Sequence, residues 1–79
     1  MADLDFTDHA RQEMRRDSVS EFEVYIVVED ADEIIERHDG RTVYTRRLDD
    51  GRQVTVIVEE ATQSVRTVWW NKRRGPRRR

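Results

Sequence analysis

Cysteine is absent from these 79 residues, which excludes a disulfide framework, a thiolate zinc site and a cysteine nucleophile. A small domain without disulfides fits a reducing compartment, so a cytoplasmic setting is expected. Only one proline and three glycines interrupt the chain. Gly40 and Gly51 follow aspartates in turn-like contexts and Gly75 lies in the terminal segment, so there is no glycine-rich phosphate loop. The longest apolar run, Val24 to Val28, is far too short to span a bilayer. The opening residues, Met1-Ala2-Asp3-Leu4-Asp5, are acidic where a secretory leader is basic and then apolar. No membrane association is expected. Histidine occurs twice, at His9 and His38, with no companion acidic motif at metal-ligand spacing. No metal and no other cofactor is therefore expected.

Charge is what the chain has in abundance: 41% of its residues are Asp, Glu, Lys or Arg. The two signs are segregated. Six of the fifteen basic residues (Lys72, Arg73, Arg74, Arg77, Arg78 and Arg79) fall in the last eight positions, leaving nine arginines against all seventeen acids. The net charge of −2 thus hides a body at −8 and a tail at +6. Residues 1–70 are expected to form one domain, with 71–79 a disordered basic tail that lacks periodicity.

Local patterns predict two helices followed by four strands. The first helix is expected to start near Asp5 or Thr7, with Phe6, Ala10 and Met14 as an apolar stripe. His9 and Glu13 lie four apart along its flank, within reach of each other. The second helix has a complete start signal. Ser20 is the N-cap, Glu23 at N3 completes a capping box, and Val19 and Val24 form a hydrophobic staple. Val24-Tyr25-Ile26-Val27-Val28 has strand composition, but the specific cap outweighs it. From Asp32 the period changes to two. Strands are expected over Ile34–His38, Arg41–Leu48, Arg52–Glu59 and Ser64–Trp70, joined by tight turns at Asp39-Gly40 and Asp49-Asp50-Gly51. The expected fold is α+β: two N-terminal helices on one face of a four-stranded antiparallel meander, ααββββ.

Three features bear on function. His9 is a candidate general acid/base or phosphate contact, or else a helix-end histidine bonded to Glu13 or to backbone. The second strand places Tyr44, Arg46 and Leu48 on one face and Val43, Thr45 and Arg47 on the other, so each face carries an arginine. Such an arginine is suited to clamping phosphate or stabilising transition-state charge. The alternative is an ion pair with Glu13, Glu36 or Glu59. The third feature is Trp69-Trp70 followed by the basic tail. Aromatic and arginine side chains together suit single-stranded nucleic acid, with Trp70, Lys72, Arg73, Arg74, Arg77, Arg78 and Arg79 as candidate contacts. The alternative reading makes Trp69 core, packs Trp70 at the sheet edge and leaves the tail solvated.

The chain resembles the small bacterial family known as domain of unknown function 4258. The matching elements are Phe6-Thr7-Asp8-His9-Ala10-Arg11-Gln12-Glu13-Met14, Ser20 to Val24, Asp32 to Glu36, Thr42 to Leu48 and Thr67-Val68-Trp69. They cover roughly residues 4–70. The family is similar in predicted fold to the metal-independent ribonuclease toxins of the RelE and colicin type. That resemblance implies His9 as acid/base, Arg46 or Arg47 stabilising the phosphate, and Tyr44 or Thr67 assisting. It also implies RNA and an antitoxin or immunity-type protein as partners. One departure stands out. Many members read Arg-Met-x-x-Arg-Gly where this chain has Glu13-Met14-Arg15-Arg16-Asp17-Ser18. Two basic positions are acidic here, and an acidic rim repels RNA. A non-catalytic interaction module, dimeric or partner-binding, is the competing expectation. It predicts the candidate catalytic residues apart and an apolar patch on the outer sheet face.

Overall fold

A computed structural model of the chain describes residues 3–71. The elements in order are β1 (Asp5–Phe6), α1 (Asp8–Asp17), α2 (Glu21–Glu29), β2 (Glu33–Glu36), β3 (Arg41–Arg47), β4 (Gln53–Glu59) and β5 (Ser64–Asn71). The fold is α+β, but the sheet is not a four-stranded antiparallel meander. It has five strands in the order β1-β5-β4-β3-β2, and β1 runs parallel to β5.

The extra strand comes from the segment expected to open the first helix. Asp5 and Phe6 are extended because long-range partners hold them. The Asp5 N–H donates to the Gln63 carbonyl at 2.8 Å and the Thr7 N–H to the Val65 carbonyl at 3.2 Å. Phe6 is buried all the same, so its apolar character serves the core from a strand. α1 begins one residue after Thr7, whose hydroxyl accepts from the Ala10 N–H and donates to the Val65 carbonyl. The cap therefore fixes the helix start and its position on β5 together.

α1 ends at Ser18, which takes the left-handed conformation at φ 57°. The Val19 N–H then reaches back to the Met14 carbonyl at 2.8 Å, which satisfies a helix-end acceptor. α2 starts as its cap requires. Ser20 Oγ accepts from the Glu23 N–H at 3.1 Å, and a Glu23 carboxylate oxygen accepts from the Ser20 N–H at 3.0 Å. Val19 and Val24, the two ends of the staple, are both buried. Gly40 (φ 84°) and Gly51 (φ 94°) provide the positive φ that the β2–β3 and β3–β4 turns need.

α1 packs on β5 and α2 on β3 and β4, leaving the other side of the sheet uncovered among the described residues. The inner side presents Val54, Val56 and Val58 of β4 and Val65 and Val68 of β5, all nearly inaccessible to water, against Ala10, Met14, Val24 and Val27. Among the described residues no fully buried side chain is larger than valine, so the helices sit close to the sheet. Val65 and Val68 share that side because of a register shift. Val58 pairs with Val65 while Ile57 pairs with Thr67, so Arg66 is an extra residue in β5. Strict alternation groups Val65 with Trp69. The bulge instead groups Val65, Val68 and Trp70 inside and puts Thr67 and Trp69 outside.

Candidate functional site

His9 and Glu13 meet as their spacing predicts. Nε2 of His9 lies 3.3 Å from a Glu13 carboxylate oxygen. The histidine side chain is 67% exposed and that of Glu13 only 13%. Glu13 is held from its other oxygen, which accepts from the Val68 N–H at 3.0 Å. β1 is too short to cover β5 beyond Val65, so this carboxylate satisfies a strand-edge donor. Asp17, the other acidic departure from the family pattern, is also structural. Its side chain is buried and accepts from Arg16 Nε at 3.2 Å, and its carbonyl accepts from Trp70 Nε1 at 2.8 Å. An arginine at position 13 has no acceptor to offer the Val68 N–H.

The other candidates lie elsewhere. Arg46 is on the inner side of β3, two strands from β5, roughly 10 Å by interstrand spacing. Its Nη1 donates to the Asp30 carbonyl at 3.0 Å and approaches carboxylate oxygens of Asp30 and Asp32 at 3.4 and 3.5 Å. Its Nε is buried without a hydrogen-bond partner among the described residues. The neighbouring cleft, about 360 Å³ between α2 and the β3–β4 turn, is lined by Phe22, Glu23, Ile26, Leu48, Asp49 and Asp50 as well as Arg46. A phosphate entering it meets the carboxylates of Glu23, Asp49 and Asp50. The partners of Arg46 are thus acids at the end of α2, not Glu13, Glu36 or Glu59.

Arg47 and Thr67 are on the outer side, across the sheet from Arg46. The Arg47 guanidinium reaches the Gly51 carbonyl at 3.4 Å, and its backbone N–H donates to Asp32 at 2.9 Å. Tyr44 shares the inner side with Arg46 but has a separate partner: its hydroxyl donates to Glu60 at 2.9 Å. Burial and then the hydrogen bond to Glu60 and its negative charge push the Tyr44 phenol up to about 12. For Glu60, burial pulls upward, but hydrogen bonds from Thr42, Tyr44 and Gln63 outweigh it and hold the carboxyl below its ordinary range. His9, Arg46, Arg47, Tyr44 and Thr67 thus fall into separate groups.

Trp70 lies on the helix side of the sheet, on the part of β5 that β1 leaves uncovered. Trp69 is outside, not in the core. The proposed nucleic-acid contacts Lys72, Arg73, Arg74, Arg77, Arg78 and Arg79 lie outside the described residues, as does the expected tail beyond Asn71. No group of three or more His, Asp or Glu side chains among the described residues is arranged to hold a metal ion. No helix among them is long and apolar enough to cross a membrane.

Two features escaped the sequence reading. The first is Arg52, which reads simply as the start of a strand. Its guanidinium bonds the Glu23 carboxylate, donates to Asp50 at 2.8 Å and to the Ser18 carbonyl at 3.0 Å, and stacks 5.9 Å from the Trp70 ring. It clasps the α1–α2 junction, the α2 cap, the β3–β4 turn and β5. Nothing local in Asp50-Gly51-Arg52 announces that role. The second is the order of residues on the outer face. Pairing aligns Ile35, Val43, Ile57 and Thr67 in one row and Glu33, Thr45, Thr55 and Trp69 in the next. Alternation along each strand hints at such rows, but only the register assembles them.

The sequence profile of a family described as a domain of unknown function (DUF4258) matches residues 6–74. The chain belongs to that family. Comparison with curated proteins and with solved structures gives no match.

Proposed function

We propose that this DUF4258 domain is a protein-interaction module that binds a second copy of itself through its outer sheet face. One observation carries the reading. That face has an uncharged centre of Ile35, Val43, Ile57, Trp69 and threonines, ringed by three bases and three acids: Arg41, Arg47 and Arg66, and Asp5, Glu33 and Glu59. Its charge balances, while residues 1–71 together stand at −8. Two acidic bodies repel over most approaches, and this face is one where they meet without a like-charge excess. Stacking two copies about an axis along the strands sets Val43 against Ile57 and Arg41 against Glu59, twice over.

The face measures about 19 Å across four strands and 23 Å along them, so two copies cover roughly 900 Å² in all. That is the low end for a specific interface and implies a weak, concentration-dependent dimer. Sedimentation equilibrium tests it. The wild type should rise toward twice 9.5 kDa with concentration, and Ile57→Lys should stay monomeric with an unchanged circular dichroism spectrum. A wild type that remains monomeric to about 1 mM overturns the reading. The setting proposed for this activity is the cytoplasm.

A second reading, a metal-independent ribonuclease of a toxin–antitoxin type system, is favoured by the oriented His9–Glu13 pair. An exposed imidazole held by a fixed carboxylate is a serviceable proton carrier. The separation of His9 from Arg46 and Arg47, and the acids engaging Arg46, count against it. Cleavage of mixed cellular RNA in EDTA by wild type, but not by His9→Ala, would establish it.

A further inference from the structure

Acids gather at the end of the sheet where β3 turns into β4. The cleft between α2 and that turn, about 360 Å³, has an apolar wall of Phe22, Ile26 and Leu48. Phe22 is 73% exposed, although the same helix buries Val24 and Val27. Glu23, Asp49 and Asp50 form the rim, with Arg46 at the base. The neighbouring cations do not balance these carboxylates. The Arg52 guanidinium is shared by Glu23 and Asp50, and that of Arg46 by Asp30 and Asp32. Asp49 is exposed and has no ion pair among the described residues. Five carboxylates thus meet two guanidiniums on the helix side, and counting Arg47 across the sheet still leaves two acids in excess. The same end of the sheet is where β5 stops. Asn71 pairs with Gln53, the residue after Arg52, so the chain leaves the described residues beside the turn that carries Asp49 and Asp50. Residues 72–79 then add six basic side chains. Eight residues reach at most about 26 Å, and the cleft lies one to two strands away, roughly 5–10 Å.

We propose that this cleft is a docking surface and that its occupant is the chain's own basic segment, Lys72 to Arg79. Exit point, reach and opposite charge together select that occupant. Tethering supplies an effective concentration on the order of millimolar, so contacts too weak to hold a free peptide hold this one. Arginine suits both parts of the cleft. Its methylene stem packs on Ile26 and Leu48, and its guanidinium stacks on Phe22 or forks onto Asp49. A groove beside β2 is lined by Glu36 and Glu60 with Arg37 and Arg41, and so exerts no such pull. Seated in the cleft, the basic segment is withheld from other anions, which reach it only by competing with the carboxylates. The cleft is on the helix side of the sheet, so this docking is independent of association through the outer face.

The absence of cysteine makes the test direct, since Gly75→Cys gives the full-length chain a single site for a nitroxide spin label. The measurement is paramagnetic broadening of isotope-labelled amides, made in an Ile57→Lys background so that the outer face plays no part. Broadening should concentrate on Phe22, Glu23, Ile26 and Asp49. It should fall several-fold in Asp49→Lys, in Phe22→Ala, and in about 1 M salt, where the Debye length is about 3 Å. Asp49 is unpaired and Phe22 largely exposed, so neither substitution disturbs the core. A segment that is merely tethered broadens the exit at Gln53 and Asn71 and responds to none of these changes. That pattern, or broadening centred on any other surface, would overturn the proposal. A mixture of spin-labelled chains and isotope-labelled chains without nitroxide should leave the cleft amides sharp. Broadening in the mixture would place the segment of another copy in the cleft and overturn the intrachain assignment. Sedimentation of the wild type judges the outer face separately, so either conclusion can fail while the other stands.

Discussion

Replacing Arg52 with alanine should destabilise this protein more than its place at the start of a surface hairpin suggests. The guanidinium side chain is only 16% exposed, and its partners come from four separate parts of the chain. A hydrogen bond to a charged group contributes about 1.5–3 kcal/mol when well buried. Here Glu23 is 25% and Asp50 54% exposed, so water recovers part of what each carboxylate loses. The Ser18 carbonyl adds about 1 kcal/mol and the stacking on Trp70 about 0.5–1 kcal/mol. The sum after screening is about 3 kcal/mol. For a domain of this size that lowers Tm by roughly 12–24 °C. Arg52→Lys keeps one charged contact but cannot span the others, and should lose about half as much. Thermal and urea unfolding followed by circular dichroism give both values. A fall of less than about 4 °C for Arg52→Ala would refute the clasp and leave its contacts as surface decoration.

Other substitutions test other joints of the argument. Ser18→Gly should raise stability by about 0.5–1 kcal/mol in urea unfolding, because Ser18 sits at φ 57°, where a Cβ is unfavourable and glycine is not. Glu13→Ala should cost about 1–3 kcal/mol and speed exchange of the Val68 amide, whereas Glu13→Gln should keep that amide protected through its carbonyl oxygen. Tyr44 and Glu60 contribute to the pH dependence at its two ends. Between pH 10 and about 12 an unfolded tyrosine has lost a proton that Tyr44 retains, so stability from this group is complete below pH 10 and lost as pH rises through that window. Tyr44→Phe should flatten the alkaline decline, and ultraviolet titration of the wild type should show a late phenol. Glu60 runs oppositely: its lowered pKa contributes stability above the usual carboxylate range, lost as pH falls below it. Glu60→Gln should flatten the acid limb.

Sequence by itself determined the features that rest on neighbours along the chain. Ser20, Glu23, Val19 and Val24 specify the start of α2 within six residues, and that helix forms despite the strand composition of Val24 to Val28. The glycines after Asp39 and Asp50 specify the turns, and the valine alternation of β4 specifies which of its sides is buried. His9 and Glu13 meet because one helical turn brings them together. Tertiary structure decided everything that depends on a partner far along the chain. Phe6 continues the periodicity of Ala10 and Met14, yet it is a strand residue because bonds to Gln63 and Val65 outweigh one more turn of helix. The bulge at Arg66 exchanged the sides expected for Trp69 and Trp70, since one extra residue inverts every side chain beyond it. Strand order put β4 between His9's neighbour β5 and the arginine of β3, and left β2 at an open edge. Local propensity acts over three or four residues. Strand order and register are settled by which distant surfaces bury each other, and no short window of sequence contains both surfaces.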